Sequence, residues 1–153
     1  MKRFICLILL GVFLVGCAKQ EGLSEEEKLM QKFLQIAYTE KLETQLETPD
    51  KLEEYWGEFY ESLSGLCTEE GYEKLVGGAQ IADRALDALQ NKYEREIREI
   101  RLDYDEKLQQ ASYTVLLDMS FEDGTTQTDE IKGIIGVQQS EDGSFKVHVF
   151  KEN

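Results

Sequence analysis

Two Asp-Gly pairs, Asp123-Gly124 and Asp142-Gly143, sit between runs of alternating apolar and polar residues. No other feature of the chain narrows its fold as far. Before the first pair, Tyr113, Val115, Leu117, Met119 and Phe121 alternate with Thr114, Leu116, Asp118 and Ser120. Between the pairs, Thr126 to Gln139 carries Ile131, Gly133, Ile135 and Val137 at every second position, and Phe145, Val147 and Val149 follow the second. A period of two puts one set of side chains on one sheet face. Asp-Gly between such runs is a hairpin signal, because both residues tolerate the positive φ of a type I′ turn. Two turns in series predict an antiparallel meander of at least three strands. A fourth would come from Ile100, Leu102 and Tyr104, which alternate in a segment beginning near Glu96.

Ahead of these strands the period changes from two to between three and four. Ser24-Glu25-Glu26-Glu27 has the form of a capping box, with three acids suited to the positive end of a helix. Leu29, Met30, Phe33, Leu34, Ala37, Tyr38, Leu42 and Leu46 then predict an amphipathic helix of about 22 residues. Thr48-Pro49 supplies a cap and a first-turn proline for a second helix, whose stripe is Leu52, Tyr55, Trp56, Phe59, Leu63 and Leu66. Thr68 caps a short third helix with Tyr72, Leu75 and Val76, stopped by Gly77-Gly78. Residues 79–95 are ambiguous. Ala82, Ala85, Leu86 and Leu89 have helical spacing, and a helix continuing to about Ile100 competes with the strand from Glu96. Three helices followed by a four-stranded antiparallel meander is an α+β layout, with the helices on one sheet face.

The first sixteen residues have a separate character. Lys2 and Arg3 precede an apolar run from Phe4 to Val15, interrupted by one Gly. That run is too short for a spanning helix, which needs about 20 residues, but suits the apolar core of an export signal. It ends in Leu14-Val15-Gly16-Cys17, which resembles the lipobox of bacterial lipoproteins. The resemblance implies cleavage before Cys17 and attachment of diacylglycerol to its sulfur. A plain signal peptide with a chance cysteine, or a buried N-terminal helix, is the alternative. The expected organisation is a signal peptide at 1–16, a lipidated Cys17 with a tether to residue 23, and one domain over 24–153. Two or three acyl chains hold a protein stably on a membrane. The expected location is extracytoplasmic, on the cell membrane or on the outer membrane of a source that has one.

Composition excludes more than it selects. The net charge of −14 becomes −16 once Lys2 and Arg3 are removed, which argues against nucleic acid as a partner. A single histidine removes zinc sites of the two- or three-His kind. Cleavage would discard Cys6 and lipidation would consume Cys17, so Cys67 remains as a lone thiol, read as a half-buried small hydrophobe.

The layout, together with "CTEEGYEKLV" at Cys67–Val76 before the first strand, resembles the NTF2-like (cystatin-like, SnoaL-like) superfamily over residues 24–153. The resemblance implies a curved sheet wrapped around a long helix as a cone, often with an apolar pocket. It also implies that any enzyme would place Asp, His or Tyr at the pocket mouth. Many bacterial lipoproteins and transfer or secretion accessories are similar in this way.

Candidate chemistry is thin. His148 alternates with Phe145, Val147 and Val149 and so is expected on the wet face. Asp103 and Asp105 share one strand face, where acids are ordinary. Glu94 to Arg101 alternate in sign and read as a solvated surface. Tyr55, Trp56, Phe59 and Tyr60 crowd a turn and a half of helix, so some of them, Tyr60 foremost, are expected to line a pocket or partner surface. No catalytic or metal site and no cofactor beyond the lipid on Cys17 are expected. The expectation is a membrane-anchored, non-enzymatic module that binds an envelope protein; the alternative is a small-molecule binder using an apolar pocket inside the cone.

Overall fold

A computed structural model describes residues 22–39, 49–78 and 80–153. Helix α1 spans Glu25–Thr39 and opens on the capping box: the Ser24 amide donates to Glu27 Oε2 at 2.9 Å, and the Glu27 amide to Ser24 Oγ at 3.2 Å. Its stripe of Met30, Phe33, Leu34, Ala37 and Tyr38 is buried. Leu42, Leu46 and Thr48 lie outside the described residues, as do the expected export signal and Cys17. Helix α2 spans Pro49–Ser64, beginning on the proline, and buries Phe59, Tyr60 and Leu63. Helix α3 spans Glu69–Gly78; the Gly71 amide donates to Thr68 Oγ1 at 3.0 Å. Ser24→Ala removes one half of the α1 box and should cost about 1 kcal/mol, seen as a fall of a few degrees in Tm by circular dichroism, with Ser24→Asp close to the parent.

Among the described residues there are four helices, where three were expected. Helix α4 spans Gln80–Gln90, with Ile81 and Ala85 buried. It is followed at Lys92, φ 53°, by strand β1 at Tyr93–Asp105, three residues ahead of the expected start. The helix to Ile100 does not form. A β-bulge between Ile97 and Glu99 explains why the two readings competed. The extra residue shifts side-chain parity, so Ile97 and Ile100 share a face at a helix-like spacing of three.

Strands β2 (Gln110–Phe121), β3 (Thr126–Gln139) and β4 (Phe145–Glu152) complete an open antiparallel sheet of order β1-β2-β3-β4. The two Asp-Gly turns are hairpins, but not of type I′. Gly124 (φ 84°) and Gly143 (φ 85°) have positive φ, while Asp123 and Asp142 do not. Gly124 N–H donates to Phe121 O at 3.0 Å and Gly143 N–H to Ser140 O at 2.9 Å, the pattern of a type I turn followed by a left-handed glycine. Each aspartate accepts from the residue after the glycine: Asp123 Oδ1 from the Thr125 amide (2.8 Å), Asp142 Oδ1 from the Ser144 amide (2.9 Å).

A second bulge lies opposite Gly136/Val137 and leaves His148 as the extra residue. It corrects the expected alternation of Phe145, Val147 and Val149. Val147 is buried, but beyond the bulge Phe150 and Glu152, not Val149, share its face. His148 is therefore not on open surface; it is half-buried against α3, with Nδ1 3.4 Å from Thr68 Oγ1.

Helix α1 crosses the inner sheet face in contact with β1, β3 and β4, α3 covers β4, and α2 packs on α3. Residues 66–68 run beside β4, where Thr68 N–H donates to Val147 O at 2.9 Å and Val147 N–H to Leu66 O at 2.8 Å. The outer face carries ion pairs such as Arg98–Asp118 (2.8 Å) and Arg101–Glu99 (2.6 Å). Arg95 departs from the expected solvated run: it lies before the bulge, on the inner face, and is buried.

Candidate functional site

The inner face is apolar along β2 and β3 until the register reaches Gly133, which pairs with Tyr113 on β2 and Glu152 on β4. Tyr113 stacks on Phe150 (centroids 5.9 Å, planes 5° apart), and Phe33 and Tyr38 of α1 close the other side. Into this aromatic packing the fold brings five polar side chains from five elements. Tyr38 O–H donates to Glu152 Oε1 at 2.8 Å. Its one proton thus committed, Tyr38 accepts from the Tyr113 hydroxyl, 3.0 Å away. Arg84 of α4 donates from Nε to Glu152 Oε2 at 2.9 Å and from a terminal nitrogen to Asp129 Oδ2 at 3.2 Å.

The electrostatics follow from burial. Removal from water, with Tyr113 and Glu152 beside it, holds the Tyr38 hydroxyl far above its ordinary value, and burial does the same to Tyr113. Both are fixed donors, not acids. Burial pulls Arg84 down, but the hydrogen bond and charge of Glu152 outweigh it and hold the guanidinium above its usual range. The Glu152 side chain is 11% exposed and that of Arg84 32%, so the pair marks the boundary between core and solvent.

On the solvent side of Arg84 lies an open groove of about 710 Å³. Asp83, Arg84 and Asp87 of α4, with Asn91 just past its end, form one wall; Tyr93, Met119, Phe121, Gln127 and Asp129 of the sheet form the other. Tyr93 and Phe121, a cross-strand pair, have ring centroids 5.2 Å apart. Tyr93 O–H donates to Asp87 Oδ2 at 2.6 Å; burial and then this carboxylate push the phenol up to about 12.

The residues singled out from the sequence fall elsewhere. Tyr55, Trp56, Phe59 and Tyr60 form one aromatic cluster, Trp56 lying 5.2, 5.6 and 6.0 Å from the other three rings. Phe59 is buried in the core, and so is Tyr60 at 7% exposure, its hydroxyl turned towards the backbone of Ala82. Tyr55 and Trp56 are half-buried and form the accessible part. Asp103 and Asp105 border a second open groove at the β1–β2 turn, where Asp105 Oδ1 accepts the Lys107 and Leu108 amides at 2.9 and 3.2 Å. Cys67 is buried at 7% exposure, which pushes its thiol up to about 11. Among the described residues no group of His, Cys, Asp and Glu could hold a metal ion.

Sequence reading passed over Tyr38, Arg84, Tyr113, Asp129 and Glu152. Asp129 alone carried a usable signal: it alternates with Ile131, Gly133 and Ile135 and so shares their inward face. Tyr38 and Tyr113 are indistinguishable from core aromatics in a one-dimensional pattern, and the bulge hides the parity of Glu152.

No protein-family model matches the sequence, and no curated protein matches it. Among solved structures, a periplasmic fragment of TraM is similar at a TM-score of 0.50 with 12% identity, over 84% of this chain and 95% of the fragment. A protein described as a putative polyketide cyclase of Xanthomonas campestris pv. campestris superposes at a TM-score of 0.40 with 11% identity, over 83% and 93%. The likeness to the TraM fragment is one of fold. Helices followed by an open four-stranded antiparallel sheet are consistent with the NTF2-like cone that the layout resembles.

Proposed function

We propose that this chain is a membrane-anchored, extracytoplasmic lipoprotein that serves as a non-enzymatic accessory module of the cell envelope by binding a protein partner. The reading includes a place in a transfer or secretion assembly. The filled inner face carries it. Tyr113, Phe150, Phe33 and Tyr38 pack against one another on the inner face, and the polar groups there are closed on one another. What remains accessible among the described residues is open to solvent, a groove at the α4 end of the inner face and another at the β1–β2 turn, which suits contact with another macromolecule better than enclosure of a substrate. The TraM fragment that shares the fold is periplasmic, the kind of compartment to which a lipobox would deliver this domain. Among the described residues no helix is long and apolar enough to cross a membrane, so in this reading the lipid supplies the attachment.

Cys17→Ser tests the anchor. The variant should move from the membrane to the soluble extracytoplasmic fraction and lose incorporation of labelled palmitate. Unchanged fractionation with unchanged labelling would overturn the anchor. Cross-linking of the parent chain in intact cells tests the accessory role, which requires a reproducible envelope protein among the products.

A further inference from the structure

We infer that the groove between α4 and the β1–β2–β3 end of the sheet is a docking site for a lysine- or arginine-bearing segment of that protein partner. The inference rests on the accessory reading above and names the chemistry of its partner. Three observations support it. First, the groove combines acidity with apolar surface: Asp83, Asp87 and Asp129 stand around Tyr93, Met119 and Phe121. A lysine or arginine side chain has the matching structure, an apolar stem ending in a cation. Second, local charge is uncompensated. Asp83 forms no ion pair among the described residues, and the bonds to Asp87 come from neutral donors, Tyr93 O–H and Asn91 Nδ2. Arg84 is shared between Asp129 and Glu152. Among the lining residues one guanidinium, Arg84, stands against three carboxylates, Asp83, Asp87 and Asp129. Third, the paired rings of Tyr93 and Phe121 form part of the wall, and an aromatic face binds an alkylammonium or guanidinium through its quadrupole. The Arg84–Glu152–Tyr38 chain fixes this wall to the core, so the groove is formed before anything binds it.

The test uses the full-length chain in a non-ionic detergent. Its probes are a dye-labelled peptide with spaced lysines, the same peptide with glutamines in their place, and spermidine. The lysine peptide should bind saturably in fluorescence anisotropy, weaken with salt, and lose about tenfold or more in affinity with Asp83→Asn/Asp87→Asn. Asn at 87 can still accept from Tyr93, and equal melting temperatures would show that the groove survives. If the double variant fails to fold, Asp83→Asn alone, which removes no hydrogen bond seen here, should weaken binding about threefold. Tyr93→Leu should cost about three- to tenfold through the lost ring. Glu70→Gln/Glu130→Gln, which removes two carboxylates away from the groove, should stay within twofold. Equal loss in that control, equal binding of the glutamine peptide, or no saturable binding overturns the inference. Spermidine binding as tightly as the peptide, with the same sensitivity to the aspartates, makes the occupant a small amine and overturns the commitment to a protein segment. Cross-linking in cells separates this failure from that of the accessory role. If Asp83→Asn/Asp87→Asn captures the same envelope proteins as the parent, the groove inference falls and the accessory role stands. If the parent captures none, the accessory role falls and the inference with it.

Discussion

Gly133→Ala should be among the most damaging single substitutions in the domain, removing about 3–4 kcal/mol or abolishing soluble expression. Gly133 lies on the inner face between Ile131 and Ile135, opposite Tyr113 on one side and Glu152 on the other. A Cβ there would stand 2.5 Å from the Tyr113 hydroxyl oxygen and 2.6 Å from Cζ, and closer still to the carbonyl oxygen of Lys151. The ring cannot retreat, because its far face is stacked on Phe150 and its hydroxyl is bonded to Tyr38. The carbonyl belongs to the β4 backbone and moves only if β4 leaves the sheet. Folded domains are stable by about 5–15 kcal/mol, so the loss takes a large share of the total. The measurement is thermal unfolding, with a fall on the order of 10–20 °C expected. Gly57→Ala gives the contrast, since Gly57 is exposed within α2 and a Cβ there meets nothing within 4 Å. Alanine at that position should stabilise by about 0.5–1 kcal/mol. A Gly133→Ala protein melting within 2 °C of the parent would mean that β4 and Tyr113 are not packed as described.

The same glycine shows where sequence reading succeeded and where it stopped. Its alternation with Ile131 and Ile135 placed it on an inward strand face, and that much was legible. That it is a glycine because a tyrosine from the next strand lies across it requires the register, which alternation does not supply. The helix caps were legible because they are local: Ser24 and Glu27 are three residues apart and bond only to each other's ends. The bulges were not, because each inserts one residue and reverses parity. Ile97 and Ile100 then mimic a helix, and simple alternation assigns Phe150 to the outward face although it packs against the core. Helix α4 was half-visible for another reason. Its inward residues include small alanines, a weaker signal than the aromatics of α2, and the chain runs from it into β1 with only Asn91 and Lys92 between. The candidate site inherits these gaps. It is assembled from Tyr38, Arg84, Tyr113, Asp129 and Glu152, residues up to 114 positions apart, and long-range pairing of this kind leaves no trace in local spacing.

Arg84→Met should be the second large effect, destabilising by about 2–3 kcal/mol, below the range for fully buried pairs because the Arg84 side chain is one-third exposed and water can partly replace it. The cost arises from what the arginine leaves behind. Glu152, 11% exposed on its side chain, would keep Tyr38 O–H but lose its cation. A carboxylate held in that position without a counter-charge is expensive, whereas a neutral side chain there is not. The double variant Arg84→Met/Glu152→Met should therefore recover about 1–2 kcal/mol relative to the sum of the single changes, a coupling that a double-mutant cycle by urea unfolding measures directly. Asp129→Asn should cost well under 1 kcal/mol, because Asp129 is 41% exposed and lies at the outer end of the network. Strictly additive behaviour of Arg84 and Glu152 would mean that the pair contributes nothing beyond its separate side chains. The groove wall would then lose its connection to the core, and a preformed site on that wall would have no physical basis.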